Sequence, residues 1–230
     1  MKRETIAVGG RSCIIFHGAQ PKAILIQPTG AHEQSALDAE IGLMEQRVGD
    51  GFLLAAFPVS DWNCELSPWD APPVFGNKGF GHGASDTLSF IECELLPAIL
   101  RQYALPEALP VILGGYSLAG LFSLWSAFQT DRFSAVAAAS PSVWFPGWIE
   151  FAQQEAILVQ HVCLSLGDRE EKTKSPVMAQ VGACIRTLER RLHEQGVDCT
   201  LEWNEGGHFR DAEKRTAAAF AWCVEQMGDL

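Results

Sequence analysis

One serine stands out for its neighbours, in Gly114-Gly115-Tyr116-Ser117-Leu118-Ala119-Gly120. A strand-prone run over 109–113 leads into it, and an apolar helical pattern over 121–128 leads out. A serine at a strand-to-helix turn has the layout of a nucleophile elbow. The backbone of such a turn is sharp, so the residues two before and two after the serine must be small, and Gly115 and Ala119 are. A serine hydroxyl is a weak nucleophile until a base takes its proton, and a carboxylate must orient that base. His208 is the candidate base, in Asn204-Glu205-Gly206-Gly207-His208-Phe209, between the last strand-like run and the last helical one. Its two glycines let the loop turn toward the serine. The acid falls between them in the chain order Ser, Asp or Glu, His. The segment Gly167-Asp168-Arg169-Glu170-Glu171 supplies Asp168, Glu170 and Glu171. One acid is needed, and the others balance Arg169, Lys172 and Lys174 at the surface. The Leu118 amide and a second amide from Thr29 or Gly30 would form an oxyanion hole. Among the other histidines, His17, His161 and His193 read as packed or solvated. His32 and His82 border the expected site, but neither has the chain position of the base.

These groups need a frame that brings strand ends together. Short β-type runs are expected over 5–8 and 13–16, joined by Gly9-Gly10-Arg11 as a hairpin turn. Further strands are expected over 23–26, 52–57, 135–139, 161–166 and 198–203. Helices are expected over 34–48, 86–100, 177–195 and 211–226, where apolar residues recur at helical spacing. Residues 58–83 read as a long loop rich in proline and glycine, with Trp62 and Trp69 in it. Strands alternating with helices imply an α/β fold, with a mostly parallel central sheet covered by helices on both faces. Ligands of such sheets bind beyond the carboxyl ends of the strands, where Ser117, the 167–171 segment and His208 fall. No repeat, low-complexity stretch or composition break divides the chain, so residues 1–230 read as one domain.

Composition narrows the partners. A net charge of −11 argues against nucleic acid or an anionic membrane surface as a partner. The seven cysteines are odd in number, and none are at CxxC spacing. They read as reduced core thiols of a cytoplasmic protein, with no metal site. The amino terminus lacks the apolar core of a signal peptide, and no run reaches membrane-spanning length. Phosphate-loop, HExxH and dinucleotide fingerprints are missing, so no cofactor is expected.

Several segments together resemble a known family. In order they are Asp61-Trp62-Asn63, Ser67-Pro68-Trp69, Gly83-Ala84-Ser85-Asp86 with Leu95-Leu96-Pro97, the elbow through Phe122, Ser140-Pro141-Ser142-Val143-Trp144-Phe145, and Gly206-Gly207-His208. Over residues 23 to 225 the chain resembles the esterase D-like branch of the α/β hydrolases, a group that includes siderophore and feruloyl esterases and mycolyltransferases. The resemblance implies an α/β-hydrolase fold and a carboxylic-ester hydrolase, with Ser117 as nucleophile and His208 as base. The family's acid follows a Gly-x-x-Glu pattern, here Gly167 and Glu170. That match ranks Glu170 first, Asp168 second and Glu171 third. The chain is short for the group and lacks room for a large lid, which argues against a feruloyl or mycolyl substrate. Trp62, Trp69, Trp144 and Phe145 lie in strand-end loops and are the expected pocket lining. The expected partner is a small-molecule ester. An acyltransferase or thioesterase would use the same triad, and a non-catalytic ligand-binding protein would keep the fold without it. The sequence sets no oligomeric state.

Overall fold

A computed structural model describes residues 1–74 and 76–228. Eight strands form one sheet in the order β1-β2-β4-β3-β5-β6-β7-β8. Strands β1 (Lys2–Val8) and β2 (Arg11–His17) make a hairpin, and β2 pairs antiparallel with β4 (Phe52–Pro58). Gly9 and Gly10 turn that hairpin with φ of 55° and 76°, a two-residue turn whose left-handed residues match strand twist. From β4 onward every pair is parallel, through β3 (Ala23–Thr29), β5 (Val111–Tyr116), β6 (Ala135–Ala139), β7 (His161–Gly167) and β8 (Asp198–Asn204).

Period-two alternation splits the central strands between two cores. Ile24, Ile26, Val111, Leu113, Val136, Ala138, Val162 and Leu164 face one core. Leu25, Ile112, Ala135, Ala137, Ala139 and Cys163 face the other. The second core is closed by α1 (Ala31–Val48) and α8 (Ala212–Gln226), through Leu37, Ile41, Met44, Phe220 and Cys223. The first is closed by α3 (Ala84–Phe90), α4 (Leu96–Gln102), α5 (Leu118–Ser126), α6 (Trp148–Gln154) and α7 (Val181–Glu194). Small residues let α8 lie close to the sheet. A Cβ on Gly114 would stand 2.6 Å from the Phe220 ring and 2.7 Å from the Ala137 carbonyl oxygen.

The architecture is the expected α/β sheet, with local differences. Helix α1 starts three residues before the expected 34, because the Glu33 carboxylate accepts from the Gly30 amide at 3.0 Å and caps the first turn. The long 58–83 loop contains a one-turn helix, α2 (Trp62–Glu65), whose Cys64 amide donates to the Asp61 carboxylate, and an Ala71–Phe80 bridge. The helix expected over 86–100 is broken by a π-helical turn, Ile91–Leu95, just before Pro97, which has no amide for an α-helical bond. The helix expected over 177–195 is a 3-10 turn, Met178–Gln180, followed by α7. The aromatic-rich α6 was not anticipated. Among the described residues no helix is long and apolar enough to cross a membrane. All seven cysteines are unpaired: Cys13, Cys163, Cys199 and Cys223 are buried, and Cys93 is exposed.

Candidate active site

Ser117 joins β5 to α5 with φ 59° and ψ −118°, a left-handed conformation strained for a side chain with a Cβ. Three backbone bonds hold it there. Its amide donates to the Ala139 carbonyl at 3.0 Å, and its carbonyl accepts from the Leu121 and Ser142 amides at 3.1 and 3.0 Å. The tight turn explains the small flanks: a Cβ on Gly115 would lie 2.7 Å from the Ala119 Cβ.

His208 bridges this serine to a carboxylate. Its Nε2 lies 2.9 Å from Ser117 Oγ, and its Nδ1 lies 2.7 Å from Glu170 Oε2. An ionised carboxylate only accepts, so Nδ1 carries the proton and Nε2 presents its lone pair to the serine hydroxyl. Burial pushes the Glu170 carboxyl up. Hydrogen bonds and charge from His208, with bonds from the Gly167 amide and the Ser140 hydroxyl, outweigh that and leave it below its ordinary value of 4.5. Its second oxygen, Oε1, accepts from Gly167 N, Ser140 Oγ and Arg215 Nη1, each at 2.8 Å.

Arg215, fully buried on α8, is the centre of this support. Besides Glu170, its Nη1 donates to Ser140 Oγ at 3.0 Å and Tyr116 Oη at 3.3 Å, while Nη2 donates to the Glu205 and Gly207 carbonyls at 3.2 Å. The Tyr116 hydroxyl donates to the His208 carbonyl, and Asp168 Oδ1 accepts from the Gly206 amide at 2.7 Å. The histidine loop is thus fixed at Glu205, Gly206, Gly207 and His208 in turn. Burial pushes the Tyr116 phenol up to about 12, so it remains a neutral donor. Gly167 must lack a side chain, since a Cβ there would sit 2.3 Å from the Gly206 carbonyl oxygen.

The three acid candidates therefore separate. Glu170 meets His208. Asp168 holds the loop that carries His208. Glu171 is partly exposed and lies 3.6 Å from Arg186. Sequence reasoning passed over Arg215 and Ser140. The signal for Arg215 is that it shares a helical face, at intervals of four, with Ala219 and Cys223. Ser140 carries a different one: it opens the Ser140-Pro141-Ser142-Val143-Trp144-Phe145 segment of the family resemblance, and the structure gives it a left-handed φ of 43°.

A cavity of about 600 Å³ opens beside Ser117. Trp62 and Trp144 line it, with Phe80, Met178 and Phe209, which the sequence did not single out. Phe145 and Trp69 lie outside this lining. Phe145 is 2% exposed and packs edge-on against Phe80. Trp69 packs on Phe145 and Phe151, and its indole N–H donates to the Pro146 carbonyl at 2.8 Å. These two aromatics pin the loop to the body. Leu118 lines the cavity as the first residue of α5, whose first-turn amides have no intrahelical acceptor. Thr29 is fully buried, with its hydroxyl on the Phe57 carbonyl at 3.1 Å, and the Gly30 amide is engaged by Glu33. His32 and Glu33 line the cavity, and the Ser142 hydroxyl lies 3.3 Å from that of Ser117. Among the described residues no three His, Cys, Asp or Glu side chains gather as they would around a metal ion.

The mostly parallel sheet with helices on both faces, turning at Ser117 after β5 and at the His208 loop after β8, is an α/β-hydrolase fold. The chain belongs to the esterase family described as "Putative esterase", whose model matches residues 44–210. Membership places it among carboxylic-ester hydrolases. Its fold is similar to that of an IroE-like serine hydrolase from Shewanella oneidensis, with TM-score 0.79, 16% identity, and coverage of 100% of this chain and 82% of that one. It is similar also to the siderophore hydrolase EstB from Aspergillus nidulans, with TM-score 0.73, 15% identity, and 99% and 96% coverage. The enterobactin esterase FES from Shigella flexneri aligns with TM-score 0.68 and 16% identity, over 99% of this chain and 60% of that one. No curated protein is significantly similar to the sequence.

Proposed function

We propose that this protein is a serine esterase that hydrolyses small or medium carboxylic esters through Ser117, His208 and Glu170. The observation that carries the reading is the continuous row that starts at Ser117 Oγ on the strained turn, passes to His208 at 2.9 Å and ends on Glu170 at 2.7 Å.

Ser117 Oγ attacks the ester carbonyl carbon as His208 Nε2 takes its proton. Glu170 keeps the imidazole in the required tautomer and balances the imidazolium. The oxyanion accepts from the Leu118 amide at the start of α5, where the helix dipole adds positive potential. The second donor comes from the Thr29–Gly30 turn, where an oxyanion would take the place of the Glu33 oxygen now on the Gly30 amide. As the tetrahedral intermediate collapses, the bond to the alcohol oxygen breaks and His208 returns the proton to that oxygen. Water then attacks the acyl-serine, giving its proton to His208. The carboxylic acid leaves, and Ser117 regains its hydrogen. The sum is ester plus water to acid plus alcohol.

Turnover of p-nitrophenyl acetate and butyrate by wild type and Ser117→Ala tests this, with fluorophosphonate labelling as a second readout. Loss of turnover and of labelling in the alanine variant is expected. Unchanged activity in that variant would overturn the proposal.

A further inference from the structure

The cavity beside Ser117 has an uneven stock of charge. Its walls include the aromatic rings of Trp62, Phe80, Tyr116, Trp144 and Phe209. Glu33 is the one carboxylate among the described lining residues, and no lysine or arginine lines the cavity. Three basic residues lie within two positions of a lining residue, and each is already paired. Lys78 Nζ is 2.7 Å from Asp61, Arg210 is 2.8 Å from Glu205 and 3.4 Å from Asp211, and Lys214 is 2.8 Å from Asp211. The whole chain carries −11. An anionic ester entering here gives up water and finds no cation to replace it.

In the free protein Glu33 is anchored at the start of α1. As the third residue of α1 it accepts from the Gly30 amide through Oε2 at 3.0 Å. Its Oε1 lies 3.8 Å from the exposed His32 ring. A carboxylate offers about four acceptor sites, so most of its capacity is open to a ligand. An ammonium group in this cavity meets a carboxylate in an aromatic-lined wall, and both carboxylate and aromatic rings attract cations.

We infer that the cavity selects esters by charge, favouring those that carry an alkylammonium group, then neutral ones, and rejecting anionic ones, with Glu33 as the selecting side chain. The inference rests on the esterase reading above, since it names the substrate class of the same site.

Charge-matched esters test it. Butyrylcholine is compared with 3,3-dimethylbutyl butyrate, and p-nitrophenyl 4-(trimethylammonio)butyrate with p-nitrophenyl 5,5-dimethylhexanoate. The first pair places the charge on the alcohol side and the second on the acyl side. Wild type should favour the cationic member of at least one pair by about tenfold in kcat/KM at low salt, and p-nitrophenyl hemiglutarate should fall below both acyl-side esters. In Glu33→Gln the cationic-to-neutral ratio should drop toward one. Glutamine can still cap the Gly30 amide, and both members of a pair use the same oxyanion donors, so the ratio isolates charge. A ratio near one in both wild-type pairs, a ratio unmoved by Glu33→Gln, or efficient hemiglutarate hydrolysis would overturn the inference. Failure of the neutral esters to turn over would instead strike the esterase reading. Charge selection is then read by tryptophan fluorescence of Ser117→Ala titrated with butyltrimethylammonium and with butanesulfonate. Tighter binding of the cation supports it, and equal or tighter binding of the sulfonate overturns it.

Discussion

Replacing Glu40 by glutamine should stabilise the protein at neutral and alkaline pH and do little in acid. Glu40 lies on the buried face of α1, 2% exposed, opposite Gln27 of β3. The one bond between them is long, 3.4 Å from Gln27 Nε2 to Glu40 Oε2, and Oε1 of each side chain has no partner. Burial, reinforced by the charges of Glu213 and Glu33 and only partly opposed by the Gln27 bond, pushes the carboxyl from its ordinary 4.5 up to about 8. The folded state therefore binds this proton more tightly than the unfolded chain. Its stabilising effect is complete below pH 4.5 and is lost as pH rises through 8. At about 1.4 kcal/mol per pH unit, the loss is roughly 3 kcal/mol at pH 7 and nears a ceiling of about 5 kcal/mol above pH 8. Glutamine carries no charge, keeps an acceptor for Gln27 Nε2 and can donate to the orphaned Gln27 Oε1. Urea unfolding of wild type and Glu40→Gln, followed by tryptophan fluorescence at pH 5, 7 and 9, measures the difference while other titrating groups cancel. The variant's advantage should widen across that range, and a thermal melt at pH 7 should show Tm raised by about 10 °C for a chain of this size. A difference that is the same at pH 5 and pH 9, or a variant less stable at pH 9, would refute the reasoning.

Arg215→Met should cost about 3–5 kcal/mol in denaturant unfolding, since it leaves Glu170 and the Glu205 and Gly207 carbonyls short of a buried donor. It should also lower kcat more than it raises KM, with Arg215→Lys intermediate because a single ammonium cannot span all the acceptors. Wild-type stability and kcat in the methionine variant would show that Arg215 does not hold Glu170 and the His208 loop. Glu170→Gln should reduce kcat by roughly 10³–10⁴. Asp168→Asn, which keeps an acceptor for the Gly206 amide, and Glu171→Gln should each cost less than about tenfold. Steady-state kinetics on the three variants would overturn the order of acids if Asp168→Asn fell as far as Glu170→Gln.

Where backbone geometry alone decides, the sequence was readable. The apolar runs of β3 and β5 to β7 show as short stretches between turn residues because both faces of a parallel sheet are covered. The strand-to-helix turn at Ser117 shows because its geometry demands small residues at two fixed positions. The π-helical turn and α6 did not show, since neither leaves a periodic pattern long enough to read. The pocket walls were half legible for a related reason. Trp144 and Phe145 are neighbours in a loop after β6, yet the first lines the cavity and the second is in the core. A strand or helix would have fixed which side each faced, but an irregular loop has no period from which to tell.

Buried charges expose the remaining gap. Glu40 shares its helical stripe with Leu37, Ile41 and Met44, and Arg215 shares its own with Ala219 and Cys223, on two helices that close the same core. From periodicity the two are alike, each a charge on an apolar stripe. Their difference lies in partners that come from distant parts of the chain. Arg215 finds five acceptors, on Tyr116, Ser140, Glu170, Glu205 and Gly207, because α8 passes under the carboxyl ends of β5, β6 and β7. Glu40 finds one weak donor on Gln27. A buried charge with many partners is costly to delete, even with Arg215 Nε left without one, whereas a buried charge with a single weak partner is costly to keep. At pH 8 and above, deleting the charge should therefore move stability down at Arg215 and up at Glu40. That opposition follows from the hydrogen-bond partners, since burial and helical position do not distinguish the two sites.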